Sequence, residues 1–284
     1  MSERSLLGLS PLGFHRVSYA EWGAEGAGRA VVCVHGLTRN GRDFDFLAAG
    51  LAGAGFRVAC PDMPGRGRSD RLADPNLYGI PQYMSDCAAL IARLGTESVD
   101  WVGTSMGGLV GMMLAAQPNS PIRRLVINDV GPFIPRAALE RIAAYVGVEA
   151  RFATIEGVEA AMRSAYAPFG ALTDEQWAHL ARHEARERPG GGYTLGYDPR
   201  IAVPIRAAPV QDLDLWAVWD RISCPVLLVR GARSDLLLAE TAAEMASRGP
   251  KARVFEVADA GHAPALMADD QIGAVRDFLL EEGP

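Results

Sequence analysis

The sequence predicts an α/β protein: a mostly parallel sheet with helices on both faces, interrupted by a helical insertion. Two observations carry this. Short apolar runs alternate with helical patterns from about residue 29 to residue 128, and the alternation resumes near residue 225. Between them, from Phe133 to about Trp216, the pattern is mostly helical, with loop signals at Pro168 and at Pro189-Gly-Gly-Gly192.

Each element has its own signal. Arg29–Val34 is an apolar run that ends at His35-Gly36, which marks a buried strand. Asp43–Ala54 carries Phe44, Leu47 and Leu51 at helical spacing. Phe56–Cys60 is a second strand, closed by Pro61. Pro81–Leu94 is an amphipathic helix, with Tyr83, Met84, Cys87, Leu90, Ile91 and Leu94 on one face. Val99–Val102 is a third strand, Met106–Gln117 a helix stopped by Pro118, and Arg124–Asn128 a fourth strand. After the insertion come a strand at Pro225–Val229, a helix at Ala239–Ala246, a strand at Ala252–Val257 and a closing amphipathic helix at Asp269–Leu280. The division is therefore 1–132 and 217–284 for the α/β core, and 133–216 for the insertion.

Composition narrows the function classes. The 284 residues are 49% hydrophobic, enough for one sizeable core. A net charge of −6 leaves no basic footprint for nucleic acid and no polybasic patch for a membrane. The Met1–Ser10 stretch, followed by Pro11, is too short and interrupted for a secretory signal or a span. Cys33, Cys60, Cys87 and Cys224 form no Cys-x-x-Cys pair and read as free, buried thiols, which points to the cytoplasm. Oligomeric state is open.

The chemistry-bearing motif is Gly103-Thr-Ser-Met-Gly107. As a pentapeptide it is weak. It directly follows a strand and directly precedes a helix, which is the setting of a nucleophile elbow with Ser105 at its tip. The residues two positions either side must be small for so tight a turn to close. A helix N-terminus beside Ser105 favours developing negative charge. A serine hydroxyl needs a base, and among His15, His35, His179, His183 and His262 only His262 lies late, in the loop after the Ala252–Val257 strand. Ligands meet open parallel sheets in such loops.

The motifs together resemble the α/β-hydrolase superfamily, in particular its capped esterases and C–C hydrolases. They are His35-Gly36, Asp62-Met-Pro-Gly-Arg-Gly-Arg-Ser69, Gly103-Thr-Ser-Met-Gly-Gly108, Arg230-Gly-Ala-Arg-Ser-Asp235 and Ala260-Gly-His262, in the family's order. The resemblance implies an eight-stranded, mostly parallel sheet, a helical cap inserted after the sixth strand, leading antiparallel strands within residues 9–22, and no cofactor. It also implies the chain order serine, acid, histidine, for which Asp235 is preferred; Asp129, at the end of the strand after the nucleophile helix, is the second choice. Asp259 reads as a turn residue. The backbone N–H groups of Leu37 and Met106 are the expected oxyanion hole.

Several features carry a blander reading. Arg66 and Arg68 are placed to hold a substrate carboxylate, but pairing with a nearby acid is preferred. His179 and His183 have a metal-ligand spacing without the glutamate of a zinc-protease helix, and read as exposed residues. The expected activity is hydrolysis of a small to medium carboxylic ester through an acyl-enzyme. A meta-cleavage-type C–C hydrolase or a lactonase is the alternative, and a ligand receptor on a hydrolase scaffold the third reading.

Overall fold

The fold is described from a computed structural model, covering residues 1–26, 28–207 and 209–281. Eight strands form one sheet: β1 (Ser2–Ser10), β2 (Gly13–Trp22), β3 (Ala30–Val34), β4 (Arg57–Pro61), β5 (Val99–Thr104), β6 (Ile122–Asn128), β7 (Val226–Gly231) and β8 (Arg253–Val257). Their spatial order is β1-β2-β4-β3-β5-β6-β7-β8. β1 and β2 form an antiparallel hairpin and β2 is antiparallel to β4; the remaining neighbours are parallel. The sheet is the eight-stranded, mostly parallel one that the resemblance implied. The leading strand starts earlier than the sequence suggested, at Ser2, because Leu6 turns inward while Leu7 and Leu9 face solvent.

The alternation of side chains along each strand decides which helix packs where. Val31, Cys33, Val58, Val102, Val126 and Val229 face one side. There α1 (Asp45–Gly53) and the C-terminal helix lay down Leu47, Leu51, Val275 and Phe278. Val32, Val34, Trp101, Leu125 and Leu228 face the other side, against α2 (Ile80–Leu94) and α3 (Met106–Ala115) through Leu90, Val110 and Met112. With both faces covered, the inner strands read as continuous apolar runs rather than alternating ones. Cys33, Cys60 and Cys87 are buried and Cys224 half-buried, and all four are free thiols.

The chain between β6 and β7 adds no strand to this sheet. It carries α4 (Arg136–Tyr145), α5 (Ile155–Ala165), α6 (Asp174–Glu184), α7 (Ala202–Arg206) and α8 (Trp216–Trp219). A two-stranded neck, Phe133–Ile134 against Leu213–Asp214, joins it to the sheet. α5 and α6 have a small core of their own in Val158, Met162, Trp177 and Leu180. The α6 N-terminus is fixed by a capping box between Thr173 and Gln176. α9 (Ala239–Ser247) and α10 (Asp269–Leu280) complete the fold. Among the described residues no helix is long and apolar enough to cross a membrane.

Candidate active site

Ser105 sits where β5 passes into α3, with φ 51° and ψ −113°. That strained backbone is what lifts a side chain off the end of the sheet. The turn closes because its flanking positions lack side chains. A Cβ on Gly103 would lie 2.2 Å from the Gly107 carbonyl oxygen, and a Cβ on Gly107 would lie 1.9 Å from the Val34 carbonyl oxygen. Two further bonds hold the turn. Ser105 N–H donates to the Asn128 carbonyl at 2.9 Å, and the buried Trp101 indole N–H donates to the Gly107 carbonyl at 3.0 Å.

His262 comes from the loop after β8, as the sequence predicts. Its Nε2 lies 3.0 Å from Ser105 Oγ. Its Nδ1 lies 2.8 Å from Asp129 Oδ2. The carboxylate assigns the tautomer: Nδ1–H donates to Asp129, leaving Nε2 as the acceptor facing Ser105 Oγ–H. Ser105 is half-buried and the His262 side chain is 14% exposed, so both remain within reach of a substrate.

The acid partner corrects the first-choice reading of the sequence. The structure brings Asp129, not Asp235, to His262. Asp129 is fully buried at the end of β6 with φ 57°, a left-handed conformation that aspartate tolerates better than most residues. Its Oδ1 accepts from Gly231 N–H at 2.8 Å, and its Oδ2 accepts from Ser234 Oγ–H at 2.6 Å as well as from His262. Asp235 lies one residue beyond Ser234 on the loop after β7. A tight turn, closed by Ser234 N–H on the Gly231 carbonyl at 3.0 Å, points Ser234 inward, and Asp235 faces out. Its carboxylate is 57% exposed and pairs with Arg141 of α4 at 2.7 Å.

Met106 follows Ser105 directly, and the turn that carries Leu37 approaches it: a Cβ on Gly36 would lie 3.8 Å from Ser105 Cβ. Met106 is the first residue of α3, so its N–H has no intrahelical acceptor. Leu37 lies in the turn after β3, and its N–H meets no protein acceptor among the described residues. The peptide that carries it is held from behind. The Gly36 carbonyl accepts from Arg39 N–H at 3.1 Å and from His35 Nδ1–H at 2.7 Å, while His35 Nε2 accepts from Met63 N–H at 2.9 Å. Both ring nitrogens of this fully buried histidine are thus committed. Burial, with Arg66 and Arg39 nearby, pushes its pKa down to about 3.

Three supporting contributions were not foreseen from the sequence. Ser234 donates to the acid, and its only signal was its place in Arg-Gly-Ala-Arg-Ser-Asp235. Asn128 donates to Thr104 Oγ1 at 3.0 Å and to the Pro264 carbonyl at 2.8 Å, tying the end of β6 to the serine turn and the histidine loop. The insertion also grips that loop. Gly261 N–H donates to the Pro168 carbonyl at 2.7 Å and Ala265 N–H to the Phe169 carbonyl at 3.2 Å, one on each side of His262.

The remaining candidates fall elsewhere. Arg68 pairs with Glu3. Arg66 is fully buried and, among the described residues, takes part in no ion pair, against the expected pairing with an acid. Asp259 accepts from Ala171 N–H at 3.2 Å, a loop role. His179 and His183 are half-buried rather than exposed, with donor atoms within 4.8 Å of each other and of Asp45. Such a trio has the donor chemistry for a divalent ion. Here Asp45 already takes two bonds from Arg42 Nε, at 2.8 and 2.9 Å, and His179 Nε2 lies 3.0 Å from the Arg42 carbonyl. The group acts as a hydrogen-bonded joint between α1 and α6.

A family model described as alpha/beta hydrolase family matches residues 31–275. The chain is 50% identical over 281 residues to a 3-hydroxybutyrate-oligomer hydrolase of Cupriavidus necator, with 95% of each chain covered. It is 30% identical over 274 residues to an N-formylmaleamate deformylase of Pseudomonas putida, covering 93% of this chain and 92% of the relative. Among solved structures, an α/β hydrolase from Novosphingobium aromaticivorans aligns with a TM-score of 0.87 at 37% identity, over 98% of this chain and 97% of its own.

Proposed function

The chain belongs to the α/β-hydrolase family, and from that premise we propose that it is a serine esterase, cleaving short hydroxyacid oligoesters of the 3-hydroxybutyrate kind. The observation that carries the reaction class is the continuous array Ser105 Oγ, His262 Nε2, His262 Nδ1, Asp129 Oδ2, with contacts of 3.0 and 2.8 Å. The relative at 50% identity supports the substrate class.

The mechanism follows from the array. Ser105 Oγ attacks the ester carbonyl carbon as its proton passes to His262 Nε2. Asp129 holds the ring and stabilises the imidazolium without taking the proton. The carbonyl oxygen becomes an anion between the N–H groups of Leu37 and Met106, where each donor removed costs about a hundredfold or more in rate. The tetrahedral intermediate collapses, His262 returns the proton to the departing alkoxide, and the hydroxyacid or shorter oligomer leaves. Water then repeats the sequence on the acyl-Ser105 ester, with His262 again as base. The insertion, residues 133–216, acts as the cap over this site.

The test has two readouts. A fluorophosphonate probe is expected to label Ser105, located by peptide mass spectrometry. Linear 3-hydroxybutyrate dimer and trimer are expected to be cleaved to monomer, followed by chromatography. Labelling at another residue, or none, would overturn the nucleophile; labelling with turnover of simple esters but not of these oligomers would overturn the substrate class.

A further inference from the structure

Arg66 lies in the loop after β4, and its guanidinium is fully buried. A buried cation ordinarily has a carboxylate beside it, because desolvation costs several kcal/mol. Arg66 has none among the described residues. Its nitrogens go instead to neutral groups: Nε to the Leu37 carbonyl at 2.8 Å, one terminal nitrogen to the Pro64 carbonyl at 2.7 Å and Tyr83 Oη at 2.8 Å, and the other to Met106 Sδ at 3.9 Å. The rings of Tyr78 and Tyr83 lie 5.6 and 5.1 Å from its centre. A neutral amide would serve such carbonyls without burying a charge.

What singles out this position is which residues it touches. Leu37 and Met106 are the two whose N–H groups face the developing oxyanion in the proposed mechanism, and Arg66 contacts both. The insertion closes the loop on the other side. Gly67 N–H donates to the Gly196 carbonyl at 3.0 Å and Asp198 N–H to the Gly65 carbonyl at 2.7 Å. The charge is therefore shielded from water, where its field is strongest. Neighbouring His35, whose Nδ1 bonds the Gly36 carbonyl, is held neutral chiefly by burial, with the charge of Arg66 acting in the same direction.

We propose that Arg66 is a positioning and electrostatic residue of the oxyanion site: it fixes Leu37 and Met106 from behind, and its uncompensated charge finds its counter-charge in the oxyanion itself. The inference rests on the serine-esterase reading above. In the resting protein the charge has only dipoles and ring faces around it. On attack, the carbonyl π pair moves onto oxygen and the serine proton moves to His262, so a full negative charge appears at the N–H groups of Leu37 and Met106, the two residues that Arg66 touches through the Leu37 carbonyl and Met106 Sδ. The interaction exists in the transition state and not in the ester ground state, which is the condition for raising kcat.

The experiment compares wild type, Arg66→Met and Arg66→Lys on p-nitrophenyl butyrate, with inhibition by an alkyl trifluoromethyl ketone and by the matching methyl ketone. The trifluoromethyl ketone adds to the serine and carries an oxyanion; the methyl ketone binds as a neutral carbonyl. Arg66→Met is expected to lower kcat by about tenfold to a hundredfold with little change in KM, and to weaken the trifluoromethyl ketone by a similar factor. Methyl ketone binding should stay within about twofold. Arg66→Lys keeps the charge and should recover most of the loss, which guards against Arg66→Met simply failing to fold. Equal losses in both variants, equal weakening of both ketones, or an unchanged kcat in Arg66→Met would each overturn the assignment. No ester turnover and no fluorophosphonate labelling in wild type would instead overturn the esterase reading itself.

Discussion

Two aspartates stand at the carboxyl ends of adjacent parallel strands, Asp129 after β6 and Asp235 after β7, and their surroundings differ completely. Asp129 is fully buried, and its oxygens accept from a backbone N–H, a serine hydroxyl and the imidazole of His262. Asp235 is more than half exposed and is held by a single arginine of α4. An exposed pair of that kind contributes at most about 1 kcal/mol. A carboxylate with three internal donors is instead fixed in place and keeps the ring beside it in one orientation. The fate of each was decided by the turn after β7, which directs Ser234 inward and leaves its neighbour outside.

The comparison can be broken by substitution. The largest effect is expected at the point both loops serve: Ser105→Ala should lower kcat for p-nitrophenyl butyrate by about a millionfold, with the circular dichroism spectrum unchanged. Asp129→Asn should preserve the shape of the site, favour the wrong tautomer of His262, and lower kcat by about ten-thousandfold. If Asp235→Asn lost as much, the assignment of the acid would be reversed. Ser234→Ala removes a hydroxyl bond to a charged acceptor, worth about 1.5 kcal/mol, and a kcat loss of about tenfold is expected. Asp235→Asn should stay within about twofold of wild type and move Tm by no more than a degree or two.

The oxyanion side of the site offers a pH test. His35 is pushed down to about 3 by burial, whereas an unfolded chain takes up that proton near 6.5. Between those values the unfolded state binds more protons, so stability falls as pH falls through the window. His35→Gln is expected to start from a lower Tm at pH 7 and to lose less on acidification to pH 4.5. An unaltered pH dependence would mean that His35 is not the group held neutral there.

Much of this was legible in the sequence, for identifiable reasons. Ser105 was recognisable because a strand, a turn and a helix must meet within five residues, and only small neighbours permit it. His262 was recognisable because no other histidine follows a late strand. The acid was not settled by spacing, since β6 and β7 are neighbours and both end beneath the histidine loop. Choosing between them required the direction of one short turn, and a three-residue connection does not encode that in its hydrophobic pattern. Arg66 was noticed as a cation, but its lack of a carboxylate depends on packing among Tyr78, Tyr83 and the insertion. The two backbone bonds from Pro168 and Phe169 involve no side chain at all, so composition carries no trace of them.

Those two bonds tie the insertion to the loop that carries the base. The insertion holds the loop of His262 by its backbone, at Gly261 and Ala265. Any displacement of the Pro168–Phe169 backbone therefore has to break a hydrogen bond to the residue immediately before His262 or to Ala265, three residues after it. The insertion and the base thus form one structural unit, so a substitution that unseats Pro168 or Phe169 is expected to disturb the His262–Ser105 contact as well.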